Sequence, residues 1–105
     1  MIITLTTAAQ QQIALAARQG GAEGLALRLA AKRQADGSIS YLFGFDEPKE
    51  HDFRVESEGL LVVIEPEYVN LLEGATMDYV EIEPDDMRFI FLNPNDETYV
   101  PPQQQ

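Results

Sequence analysis

Apolar and polar residues change their spacing several times along this chain, and each change marks an element. Met1 to Leu5 alternate loosely and predict a short first strand. From Thr6 or Thr7 the spacing becomes helical. Ala9, Ile13, Ala16 and Ala17 share one face of a segment, Ala8 to Gln19, rich in Ala and Gln, both good helix formers. Thr7 followed by Gln10 has the form of a capping box, in which two side chains satisfy each other's end of the first turn. Gly20-Gly21 ends the helix, because glycine adopts the left-handed cap conformation cheaply. Leu25, Leu27 and Leu29 then alternate with Ala26, Arg28 and Ala30, as in a strand with one leucine face. Asp36-Gly37 closes a polar stretch begun at Lys32, and Ser40 to Phe45 returns as an aromatic strand, so a hairpin is expected.

The second half reads in the same way. Asp46 to Asp52 is charged, contains Pro48 and predicts a loop. Phe53 to Val55 forms a short strand, Glu58-Gly59 a turn, and Leu60 to Ile64 a wholly apolar strand of the buried kind. Pro66 suits the first turn of a short helix from Glu67 to about Leu72, ended by Gly74. Met77 to Glu83 alternates again, Pro84-Asp85-Asp86 turns, and Arg88 to Leu92 is the last strand. Two helices among mostly hairpin-connected strands define an α+β domain, mostly β, over residues 1–100, with 101–105 (Pro-Pro-Gln-Gln-Gln) as a disordered tail.

Composition narrows the function classes. The 105 residues make one domain, large enough to bury a core without disulfides. Eighteen acidic against seven basic side chains give a net charge of −11. That sign disfavours nucleic acid and anionic lipid, both of which are bound through basic surface. No apolar run approaches the ~20 residues that span a bilayer, and no leader pattern opens the chain, so a cytoplasmic protein is expected. There is no cysteine and one histidine, His51. Thiolate catalysis, all-cysteine cluster ligation and a histidine-based triad therefore lack material, and a non-enzymatic role is expected.

The order and spacing of several short segments resemble the HesB/IscA family, the A-type iron–sulfur cluster carriers. They are Ile3-Thr4-Leu5-Thr6, Phe45-Asp46-Glu47-Pro48, the stretch Pro66 to Gly74, Asp78-Tyr79, and Asn93-Pro94-Asn95 after Phe89-Ile90-Phe91. Tyr68 stands where a serine is usual and Leu71 where a tyrosine is usual. The resemblance implies homodimers or tetramers, a protein partner in iron–sulfur assembly, and ligation by one central cysteine and a C-terminal Cys-x-Cys. The matching positions here are Asp36, Val100 and Pro102.

Those replacements argue against a cluster, because iron–sulfur centres need thiolates or, less often, imidazoles. The expectation is a scaffold for protein interaction or regulation, with no cofactor. Tyr99-Val100 and the strand aromatics are its candidate interface residues. The alternative is a mononuclear iron or other hard-cation site built from carboxylates: Asp36, or the loop residues Asp46, Glu47, Glu50, His51 and Asp52. Each of these also has a plain reading as a turn or solvated loop residue.

Overall fold

Seven strands and two helices follow one another in the order the periodicity predicts. The computed structural model describes residues 3–98; Tyr99, Val100, Pro102 and the expected tail 101–105 lie outside the described residues. The elements are β1 (Ile3–Leu5), α1 (Thr7–Gly20), β2 (Ala26–Arg33), β3 (Ile39–Asp46), β4 (Phe53–Ser57), β5 (Leu60–Ile64), a 3-10 turn (Pro66–Tyr68) leading into α2 (Val69–Leu72), β6 (Ala75–Glu83) and β7 (Asp86–Leu92). They form a three-stranded sheet in the order β1-β6-β7 and a four-stranded sheet in the order β3-β2-β5-β4. The fold is α+β and mostly β.

Three hairpins, β2–β3, β4–β5 and β6–β7, supply the antiparallel pairs. The β4–β5 link is Glu58-Gly59, with φ of 49° and 86°, the doubly positive geometry of a tight hairpin turn. Two pairings are parallel, β1 with β6 and β2 with β5. They join segments far apart in sequence, which no local pattern can announce.

The core takes the odd-numbered face of β2 (Leu27, Leu29, Ala31) with Val62 and Ile64 of β5, Ile3 and Leu5 of β1, Ala75 and Met77 of β6, Leu72 of α2, and Ala9 and Ile13 of α1. Each large apolar side chain buried there contributes roughly 1.5–3 kcal/mol. An aromatic cluster joins the two sheets: Tyr41 of β3 stacks on Phe91 of β7 with ring centroids 4.0 Å apart, and Phe43 meets Phe89 edge-on at 5.3 Å.

One local expectation is corrected. The cap of α1 is Thr6, not Thr7: its Oγ1 accepts from the Ala9 N–H at 3.1 Å. The Thr6 hydroxyl also donates to Asp78 Oδ1 at 2.6 Å, and its N–H donates to the Met77 carbonyl at 3.0 Å. Docking on β6 thus selects Thr6. The residue three positions later is Ala9, which cannot answer, so no reciprocal box forms. Gln10 donates to the Leu5 carbonyl and to Ser57 instead.

Candidate functional site

The tight turn between β2 and β3, which carries Asp36, lies against the chain that follows β7. Asp36-Gly37 turns the chain at a backbone φ of 88° for Gly37, a conformation glycine reaches without strain. The exposed Asp36 carboxylate is occupied locally. Its Oδ1 accepts from the Ser38 hydroxyl at 2.6 Å and the Ser38 N–H at 3.0 Å. These bonds, the hydroxyl one foremost, hold it below the ordinary carboxylate range.

Beyond β7 the chain builds the same device again. Asp96 Oδ1 accepts from the Thr98 hydroxyl at 2.6 Å and the Thr98 N–H at 2.8 Å, which lowers its pKa as well. Its other oxygen accepts from the Ile39 N–H at 3.1 Å, across 57 residues.

The two turns are clasped together. Glu97 N–H donates to the Gly37 carbonyl at 3.1 Å. Arg33 spans both, donating from Nη1 to the Gly37 carbonyl and from Nη2 to the Asn95 carbonyl, each at 2.8 Å. The Arg33–Glu97 ion pair is looser, 3.7 Å and exposed, and contributes little beside these bonds. A Cβ on Gly37 would lie 2.6 Å from the Glu97 carboxylate, so the segments meet with no room for a side chain.

Asn93-Pro94-Asn95 fixes the other end of the clasp. Asn93 is 1% exposed, and among the described residues it is the one polar residue buried as a whole, backbone included. Its Nδ2 donates to the Leu71 carbonyl at 2.7 Å and to the Tyr41 hydroxyl at 3.1 Å. Its Oδ1 accepts from the N–H and the Nδ2 of Asn95, both at 2.9 Å. Asn95 Nδ2 also reaches the Glu73 carbonyl at 2.7 Å. α2 thus ends on side-chain donors, which take carbonyls its short length leaves open.

Of the loop residues Asp46, Glu47, Glu50, His51 and Asp52, the structure commits two to a cation already in the chain. Arg28 grips Asp52 with both terminal nitrogens at 2.9 and 2.7 Å, binds Asp46 through Nε at 2.7 Å, and donates to the Glu47 carbonyl at 3.0 Å. The Asp52 side chain is 2% exposed, and the Arg28 hydrogen bonds lower its pKa to about 2. The same bonds raise that of Arg28. Glu47, Glu50 and His51 are exposed. Among the described residues no three His, Cys, Asp or Glu side chains gather as a metal ligand set would. Sequence reasoning missed Arg28, Arg33 and Asn93 as organisers. For Arg28 a signal existed: a lone arginine between leucines of a strand needs a carboxylate within reach.

The iron-sulphur cluster biosynthesis family model matches residues 1–98. The chain belongs to that family. An iron-sulfur cluster insertion protein, ErpA of Ruthia magnifica, is 42% identical over 77 residues, which are 72% of this chain and 65% of that protein, so the match leaves about a third of that relative unspanned. The iron-binding protein IscA of Klebsiella pneumoniae is 34% identical over 97 residues, covering 90% of this chain and 88% of its own. A crystal structure of IscA with a [2Fe-2S] cluster superposes with a TM-score of 0.76 at 29% identity, over 88% of this chain and 85% of that one. Escherichia coli SufA, at 23% identity and a TM-score of 0.77 over 94% of this chain and 86% of its own, shares the fold.

For this member of the iron-sulphur biosynthesis family, the donor set does not suit a cluster. The chain has no cysteine, and Asp36 offers a hard carboxylate that is already hydrogen-bonded to Ser38. Val100 and Pro102 have no donor atom in their side chains.

Proposed function

We propose that this chain is a non-enzymatic member of the iron-sulphur biosynthesis family that holds no cluster on its own side chains and uses the scaffold to bind a protein partner in that assembly process. The observation that carries this reading is the clasp. The turn with Asp36 and the segment after β7 are joined by Arg33, Glu97 and Asp96 through backbone and carboxylate hydrogen bonds. Hydrogen bonds within the chain hold the turn at Asp36 against residues 95–97, as a scaffold that presents this surface to a partner requires. The absence of any thiolate supports the same reading, since a soft ligand cannot be replaced by valine or proline.

Chemical reconstitution tests it. Iron and sulfide supplied under reducing, anaerobic conditions should leave the desalted protein colourless. A stoichiometric visible chromophore on the protein alone would overturn the proposal.

A further inference from the structure

Four strands lie at sheet edges, and shortness or charge guards three of them. β1 has three residues, β4 carries Arg54 and Glu56, and β7 carries Asp86 and Arg88. β3 runs for eight residues in unbroken register with β2, and its one charge, Asp46, stands at its end in an ion pair with Arg28.

Gln34 N–H donates to the Ser38 carbonyl, so even-numbered residues of β3 exchange bonds with β2 and odd-numbered ones turn their N–H and C=O groups outward. The first outward donor, Ile39 N–H, is taken by Asp96 of the clasp. Those of Tyr41, Phe43 and Phe45 continue the row and have no partner among the described residues. Leu42 beside them is 75% exposed, and the next residue on its face is Gly44, where a Cβ would meet nothing within 4 Å. Leu42, Gly44, Ala30, Arg28 and Asp46 line an open cavity of about 270 Å³ there. A glycine inside a strand often marks the close approach of another backbone. Charge flanks this row without entering it. From Ile39 to Phe45 the strand has none, whereas Asp36, Asp96 and Glu97 lie at one end and Asp46 and Glu47 at the other. Arg28, Lys32 and Arg33 offset part of this, and the whole chain carries −11.

We infer that the free edge of β3 takes up, as an added strand, an extended segment of a different, basic protein, with β-branched residues at its centre and Lys or Arg at both ends. Main-chain bonds to Tyr41, Phe43 and Phe45 hold the segment, and alternate side chains enter the cavity beside Leu42 and Gly44. Its basic ends meet the carboxylates that flank the strand, which speeds encounter and fixes register. A second copy of this chain is the poorer occupant of this edge, because two charges of −11 repel. The inference rests on the reading of the chain as a scaffold for a protein partner, and it names that partner's chemistry and its docking place.

The probe is a synthetic peptide with blocked ends, Lys-Val-Thr-Val-Thr-Val-Lys, titrated into the whole chain and followed by amide hydrogen exchange. One companion peptide has Glu at both ends. Another, Lys-Val-Pro-Pro-Thr-Val-Lys, keeps the charge but loses a donor from each of its edges. At ten times the dissociation constant of the basic peptide, exchange at Tyr41, Phe43 and Phe45 should slow by about tenfold. The two companions should leave it unchanged. Gly44→Val fills the cavity and should weaken binding by about tenfold, with an unaltered circular-dichroism spectrum. No binding, binding that spares the three amides, equal protection by the proline peptide, or full affinity in Gly44→Val would overturn the inference. So would slow exchange at these amides before any peptide is added, since a second copy (dimer mass in light scattering) or another segment of the chain (monomer mass) would then cover the edge. Failure here with a colourless reconstituted protein removes this docking place alone, whereas a visible chromophore removes the reading above and leaves the exchange result to be judged by itself.

Discussion

Asn93→Ala removes the side chain that ties the segment after β7 to the rest of the molecule. Four hydrogen bonds go with it: two donated by Nδ2, to Leu71 and Tyr41, and two accepted by Oδ1, from Asn95. Each contributes roughly 0.5–1.5 kcal/mol net. The loss is cushioned at two points, since Asn95 Nδ2 keeps the Glu73 carbonyl and has a second, 3.3 Å contact with the Leu71 carbonyl. The expected destabilisation is therefore about 3 kcal/mol, a large share of the ~5–15 kcal/mol that holds a domain of this size folded. At roughly 4–8 °C per kcal/mol, the melting temperature should fall by about 12–24 °C. Urea unfolding should show a lower midpoint with an unchanged slope, because the folded state stays compact. Asn93→Asp is the sharper control: it keeps the acceptor but sets an oxygen against the Leu71 carbonyl, and it should destabilise at least as much at neutral pH. A loss below about 1 kcal/mol in Asn93→Ala would refute this account of the anchor.

Three further outcomes follow from the geometry. Gly37→Ala should destabilise by about 1–3 kcal/mol, from a φ of 88° and from contact with Glu97, and Glu97→Ala in the same chain should recover only part of the contact cost, because its Cβ would still lie 2.9 Å from the new methyl, as read by thermal melting. Asp52 has a folded pKa of about 2, below its unfolded value of 3.8, so its contribution is fully present above pH ~4 and is lost as pH falls through ~2. Stability measured against pH should decline in that window, and Asp52→Asn should flatten the decline. Calorimetric titration with manganese(II), calcium or iron(III) should show no saturable site in the loop, because Arg28 holds Asp46 and Asp52; a tight site weakened by Asp36→Ala or His51→Ala would restore the hard-cation reading.

Local pattern carried much of this structure. The leucine alternation of β2, the apolar run of β5 and the Gly20-Gly21 stop each lie where the periodicity sets them, since a half-buried strand and a helix end are decided by neighbouring residues. The parallel pairs, β1 with β6 and β2 with β5, were not legible, because their register depends on contacts between distant segments. The shift of the cap from Thr7 to Thr6 has the same origin: Asp78, 72 residues away, chooses between two adjacent threonines. At the candidate site, Asp36 lies in the turn beside Gly37, one of the two readings its sequence left open. That Asp96 and Thr98 would repeat the device, and that Arg33 would join the two turns, could be seen only once both turns stood side by side. Asn93-Pro94-Asn95 was noticed as a pattern, and its physical basis, a buried asparagine capping α2 while holding Tyr41, came from the packing.

The central claim is that this scaffold keeps its geometry and carries no cluster. It is tested most directly by measuring iron and acid-labile sulfide per chain after anaerobic reconstitution and desalting, in parallel for the unmodified chain and for a triple variant, Asp36→Cys, Val100→Cys, Pro102→Cys. The account predicts no retained iron or sulfide in the unmodified chain and a visible cluster in the variant, because the clasp already brings the segment before position 100 against the turn at position 36. Stoichiometric iron and sulfide on the unmodified chain would contradict it.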